Sequence, residues 1–198
     1  CLFLNKMGAE ISGYGTDIIE INGVDELRGT EHKPLPDRIE AGTFMVAAAI
    51  TRGDIEINNI VPEHSHAVIQ KLLEAGAEIT STSNSIRVKM RQRPKAVNIE
   101  TNAYPYFPTD MQAQMTALNA VAKGDSFVRE NIFENRFMHV QELERMGASI
   151  KVNDNTATIS GTKKLLAAPV MATDLRASAS LILAGLAAEG TTEIARVY

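Results

Sequence analysis

Three aspartates pace this chain. Leu35-Pro36-Asp37-Arg38, Phe107-Pro108-Thr109-Asp110-Met111-Gln112 and Met171-Ala172-Thr173-Asp174-Leu175-Arg176 each open a run of small and apolar residues that closes at a glycine, Gly53, Gly124 or Gly190. The Asp-to-Gly spacings are 16, 14 and 16 residues, and successive aspartates stand 73 and 64 residues apart. A second marker interleaves with the first at Met7-Gly8-Ala9, Ala75-Gly76-Ala77 and Met146-Gly147-Ala148. One supersecondary unit of roughly 70 residues is therefore used repeatedly, and a unit of that size cannot cover its apolar faces without neighbouring copies.

Within a copy, an Asp before a long run of helix formers predicts an N-cap, its carboxylate accepting from free N–H groups of the first turn. Residues 38–52 read as a largely buried helix with Gly53 as its C-terminal stop. Asp54 to Asn58 alternates as a strand, Pro62-Glu63-His64-Ser65 opens a second helix ending at Gly76, and residues 78–80 and 85–89 form two strands around a polar turn. Val97-Asn98-Ile99 leads to the next Asp. The order repeats from Asp110, with strands expected at 127–128, 148–152 and 156–159 and a helix near 137–146, and again from Asp174 until the chain ends. This is an α/β fold of βαβαββ units, incomplete in this chain, with residues 1–34 reading as the tail of an earlier copy.

Net charge of −4 and the absence of a sustained basic stripe argue against nucleic-acid binding. The most basic stretch, Lys89 to Lys95, reads as a solvated strand end. Apolar runs such as 44–50 and 181–188 are far shorter than the ~20 residues of a membrane span. A single cysteine, Cys1, excludes an internal disulfide framework and suits the cytoplasm. The opening residues lack the pattern of a secretory leader, and the missing initial Met suggests part of a longer protein.

Copies related by symmetry would turn their helix N-termini toward one surface. Each such terminus carries roughly half a positive charge and free N–H groups, which suits a phosphate or carboxylate ligand. His64 and His66 point to different sides of a helix with no Cys or carboxylate cluster beside them, so no metal site is expected.

The repeat, together with Leu35 to Glu40, Phe107 to Gln114, Phe133-Glu134-Asn135-Arg136-Phe137-Met138-His139 and Ala172 to Ser178, closely resembles the UDP-N-acetylglucosamine 1-carboxyvinyltransferase (enolpyruvyl transferase) family over essentially the whole chain. The resemblance implies an inside-out α/β barrel with its site in a cleft between two similar domains. It implies the C-terminal half of such an enzyme, with residues 1–34 ending the preceding domain and residues 35–198 forming most of the next. The implied reaction moves the enolpyruvyl group of phosphoenolpyruvate onto the 3-hydroxyl of UDP-N-acetylglucosamine and releases phosphate, the first committed step of peptidoglycan synthesis. That step serves cell-wall biogenesis and, through it, cell shape and division. No cofactor is implied.

By the same resemblance Asp110 contacts the sugar hydroxyl as general base, a role an alcohol nucleophile requires, although the bare sequence allows an N-cap only. Asp174 is implied near the reacting carbons, in proton transfer or positioning. Ile132 and Phe133 are implied to line the sugar-nucleotide site, with a backbone contact near Ile132, and Arg136 to lie near the cleft, where a guanidinium suits oxyanions. Arg176 is open to pairing with a carboxylate rather than a ligand, and Asp37 and Glu40 are expected at the cleft rim. The family's reactive cysteine, its lysine–asparagine pair and a further arginine have no counterpart here, so the partner in catalysis is the enzyme's missing N-terminal half and turnover by this chain alone is not expected. The alternatives are the shikimate-pathway enolpyruvyl transferase and a non-catalytic sugar-nucleotide-binding module.

Overall fold

The computed structural model describes residues 1–197 and divides the chain into two compact units, Cys1–Leu35 and Pro36–Tyr198. Tyr198 itself lies outside the described residues. In the first unit, helix α1 (Leu2–Lys6) precedes an antiparallel pair, β1 (Glu10–Ser12) and β2 (Glu20–Asn22).

The second unit begins with α2 (Arg38–Thr51), β3 (Asp54–Asn58), a 3₁₀ turn at Pro62–Ser65, α3 (His66–Glu74), β4 (Glu78–Ser81), β5 (Ser85–Lys89) and the short β6 (Ile99–Glu100). A 3₁₀ turn at Thr109–Met111 leads into α4 (Gln112–Val121), β7 (Asp125–Arg129), α5 (His139–Arg145), β8 (Ser149–Asn153) and β9 (Thr156–Ser160). The third repeat supplies β10 (Leu165–Leu166), β11 (Pro169–Met171), α6 (Leu175–Ala187), β12 (Ala188–Glu189) and β13 (Glu193–Ala195).

Sheet order follows the repeat. The first sheet runs β3-β5-β4, all antiparallel, and the second β6-β7-β9-β8, with β6 and β7 parallel. In the third copy β11 pairs parallel with β13, as β6 does with β7. Alternation sets which face is covered: Ile86 and Val88 of β5 are buried, while Arg87 between them points to solvent and pairs with Asp54.

In the second unit the three repeat-start helices lie inside the sheets. α2, α4 and α6 pack on one another, and all ten residues of α4 are buried, polar ones included. Asn119 among them donates from Nδ2 to the Val97 carbonyl and accepts from its N–H, copying a strand pairing with a side chain, whereas Gln112 Nε2 and Gln114 Oε1 are buried without a partner. α2 approaches the start of α4 at Gly42, where a Cβ would lie 2.9 Å from the Met111 sulfur.

The interleaved glycine marker has a single cause. Gly8, Gly76 and Gly147 adopt φ of 103°, 100° and 89°, the left-handed region, and the residue after each bonds back to close its helix (Ala9 N–H to Leu4 O, Ala77 to Leu72 O, Ala148 to Leu143 O). The stop expected at Gly53 falls one residue earlier. Arg52 takes the left-handed turn at φ 58°, and Gly53 donates to the Ala48 carbonyl.

Candidate functional site

Asp37 and Asp174 cap their helices as the spacing predicts. Asp37 Oδ1 accepts from the N–H groups of Ile39 (2.7 Å) and Glu40 (3.2 Å). Asp174 Oδ1 accepts from those of Arg176 (2.8 Å) and Ala177 (3.0 Å). Asp110 does not cap, which corrects the reading that all three share one structural role. The Thr109–Met111 turn delays the start of α4 to Gln112, so Asp110 sits inside the turn rather than ahead of a helix.

Freed from capping, the Asp110 carboxylate meets two guanidinium groups. Oδ1 accepts from Arg176 Nε (2.6 Å) and Arg136 Nη2 (3.2 Å), and among the described residues no donor engages Oδ2. Arg136 also donates to the Thr109 hydroxyl and lies over the Phe133 ring, 4.4 Å from its centroid. Arg136 is thus no solvated helix-start residue, its side chain being only 15% exposed. Arg176 joins two aspartates, giving its backbone N–H to Asp174 and its side chain to Asp110.

Two depressions adjoin this pair. A cleft of about 320 Å³ lies where the three inner helices begin, lined by Asp37, Glu40 and Thr43 of α2, by Asp110 and Gln114, and by Arg176. A second, of about 450 Å³, follows the loop from Glu130 through Ile132, Phe133 and Arg136 to Phe137, with Asp154 and Asn155 opposite. All the anticipated residues of the second repeat, Asp110, Ile132, Phe133 and Arg136, therefore line one or other depression, while Asp174 stands behind Arg176.

Ile132 and Phe133 are exposed, so neither is core. Their backbone N–H groups are already taken, both donating to Glu130 Oε1 (2.9 and 3.1 Å), which leaves the Ile132 carbonyl for any backbone contact with a ligand. Glu130 went unnoticed in the sequence. In Arg129-Glu130-Asn131 a lone carboxylate at a strand end has no signal separating it from a solvated surface residue, yet Glu130 is 3% exposed.

His139, the first residue of α5, is buried with Nε2 lacking a partner. Burial pushes its pKa down to about 4, against the opposing charge of Asp174. His64 and His66 occupy the 3₁₀ turn and the start of α3, and among the described residues no group of metal-ligating side chains forms. No helix among them is long and apolar enough to cross a membrane.

Inner helices, outer sheets and a cleft at the repeated helix starts define the enolpyruvyl transferase architecture. The solved enolpyruvyl transferase NikO from Streptomyces tendae superposes with a TM-score of 0.84 at 25% identity, over 97% of this chain and 46% of that one. EPSP synthase from Acinetobacter baumannii superposes at 0.71 with 21% identity, over 97% of this chain and 48% of that one. The chain belongs to the EPSP synthase (3-phosphoshikimate 1-carboxyvinyltransferase) family, whose sequence profile matches residues 1–198. Among curated relatives it is 64% identical to the UDP-N-acetylglucosamine 1-carboxyvinyltransferase of Geobacter metallireducens over 195 residues, and 62% identical to that of Trichlorobacter lovleyi over 196. These matches cover 98% and 99% of this chain and 47% of each relative, so the chain spans about half the length of the curated relatives it matches. The expected placement in the C-terminal half is not borne out by these matches, which show about half of such a chain.

Proposed function

We propose that this chain forms about half of an enzyme that transfers the enolpyruvyl group of phosphoenolpyruvate to the 3-hydroxyl of UDP-N-acetylglucosamine. The observation that carries the reading is Asp110: alone among the three repeat aspartates it leaves its helix, and it keeps one carboxylate oxygen unengaged beside a cleft. In this reading Asp110 Oδ2 accepts the hydroxyl proton as the sugar oxygen bonds to C2 of phosphoenolpyruvate. The vinyl carbon takes up a proton to give a tetrahedral intermediate, and expulsion of phosphate with loss of a proton from that carbon restores the double bond. Ile132, Phe133 and Arg136 line the sugar-nucleotide side, and Asp174 acts in positioning, through Arg176. The pairing of Arg136 and Arg176 with Oδ1 holds the Asp110 carboxylate in one orientation.

Identity above 60% to relatives named for the sugar-nucleotide reaction favours this substrate over shikimate 3-phosphate. A peptidoglycan role, with its consequences for cell shape and division, and a cytoplasmic location follow from the same reading, as does a complementary half that completes the cleft. So does the assignment of residues 1–34 and 35–198 to successive domains. The deciding experiment measures phosphate release by the protein carrying this segment at the full length of its relatives, with phosphoenolpyruvate and either UDP-N-acetylglucosamine or shikimate 3-phosphate. Release with the sugar nucleotide alone supports the proposal. Release with shikimate 3-phosphate, or with neither acceptor from a folded protein, overturns it.

A further inference from the structure

Glu130 is the most heavily engaged carboxylate near the cleft, and no ligand-facing role explains it. It is 3% exposed and accepts on both oxygens: Oε1 from the Thr101 hydroxyl (2.9 Å) and the N–H groups of Ile132 (2.9 Å) and Phe133 (3.1 Å), and Oε2 from the Thr109 hydroxyl (2.8 Å). Every one of these bonds uses Glu130 as acceptor.

Both threonines pass the constraint on. A hydroxyl has one proton, and each spends it on Glu130, so its oxygen is oriented to accept elsewhere. Thr101 accepts from the Asn131 N–H (2.9 Å), and Thr109 accepts from Arg136, which in turn holds Asp110. One buried carboxylate thereby fixes the loop lining one depression and the side-chain chain ending at the aspartate of the other. Buried networks of this kind are rigid only when every member is satisfied.

We propose that Glu130 is a positioning residue: through Thr109 and Arg136 it sets the orientation of Asp110, and through the Ile132 and Phe133 amides it sets the wall of the sugar-nucleotide depression. It touches neither substrate nor reacting atoms. The kinetic part of the proposal rests on the function proposed above, whereas the structural part does not.

Glu130→Gln keeps the shape and the Oε1 acceptor but puts an NH₂ where Thr109 needs an acceptor. The ¹⁵N-labelled chain provides the ligand-free test, with Glu130→Gln, Thr109→Val and the double variant compared by NMR. Glu130→Gln is expected to move the amide signals of Ile132 and Phe133 and also the guanidinium signal of Arg136, with which it shares no bond. Thr109→Val moves the Arg136 signal alone, and the double variant displaces that signal no further than Thr109→Val does, since the residues act in series. An Arg136 signal unmoved by Glu130→Gln overturns the proposal, and should that variant not fold, an Arg136 signal unmoved by Thr109→Val does so. In the full-length protein Glu130→Gln is expected to lower kcat about tenfold, as a misaimed base should, with no added loss in an Asp110→Asn background. Additive losses overturn the route through Asp110. A full-length protein without activity defeats the functional reading and leaves the NMR comparison to decide the positioning role.

Discussion

With Oδ1 of Asp110 held by Arg136 and Arg176, the second oxygen keeps a fixed direction without ligand. Asp110→Asn retains an acceptor for the guanidinium groups but no base. In the full-length protein it is expected to lower kcat by about 10²- to 10⁴-fold, the usual worth of a positioned base, in a phosphate-release assay. His139 predicts a pH dependence of stability. Its folded pKa of about 4 lies below the ordinary histidine value of 6.5, so between these values the unfolded chain binds the extra proton. Stability from this group is full above about pH 6.5 and declines as pH falls toward 4, by roughly 3 kcal/mol at most. Urea melts at pH 7 and pH 4.5 should show the difference, and His139→Gln should shrink it. An unchanged pH dependence in His139→Gln would assign the loss to other groups.

At the scale of elements, the three aspartates separate by what they hold. Asp37→Ala and Asp174→Ala each remove a cap and should cost about 1 kcal/mol, whereas Asp110→Ala removes none. Hydrogen exchange should quicken in the first turns of α2 and α6 on those two substitutions, and a matching change in the first turn of α4 on Asp110→Ala would contradict the geometry. Helix, strand and cap positions were legible because they rest on local patterns: alternation in Asp54–Asn58, the Asp starts, and the glycines at 76 and 147. The departure of Asp110 from capping was not, since it depends on a three-residue turn and on arginines 26 and 66 residues away. Arg93 was misread for the same reason. It lies in the stretch that reads as a solvated strand end, yet its guanidinium donates to the carbonyls of Val121, Ala122, Gly161 and Thr162 and closes the end of α4. Arg93→Met should leave those carbonyls short of donors and cost about 2–3 kcal/mol, measurable as a lowered denaturation midpoint.

Across the second unit, α2 and α6 expose Phe44, Leu175, Ile182 and Leu186. Exposed apolar side chains in such number promote association. Light scattering on this chain is expected to show a mass rising with concentration, and Phe44→Glu with Leu186→Glu to suppress the rise. A constant monomer mass in the unmodified chain would show these side chains to be harmless. The burial of α4 bears on motion as well as on packing. A helix with no exposed residue has no local opening that water can reach, so its amides should exchange only when the unit unfolds as a whole. The turn carrying Asp110 is rooted directly on that helix. The aspartate's aim is therefore as durable as the fold itself, and under the proposed function a ligand arriving at the cleft would find its base already in place.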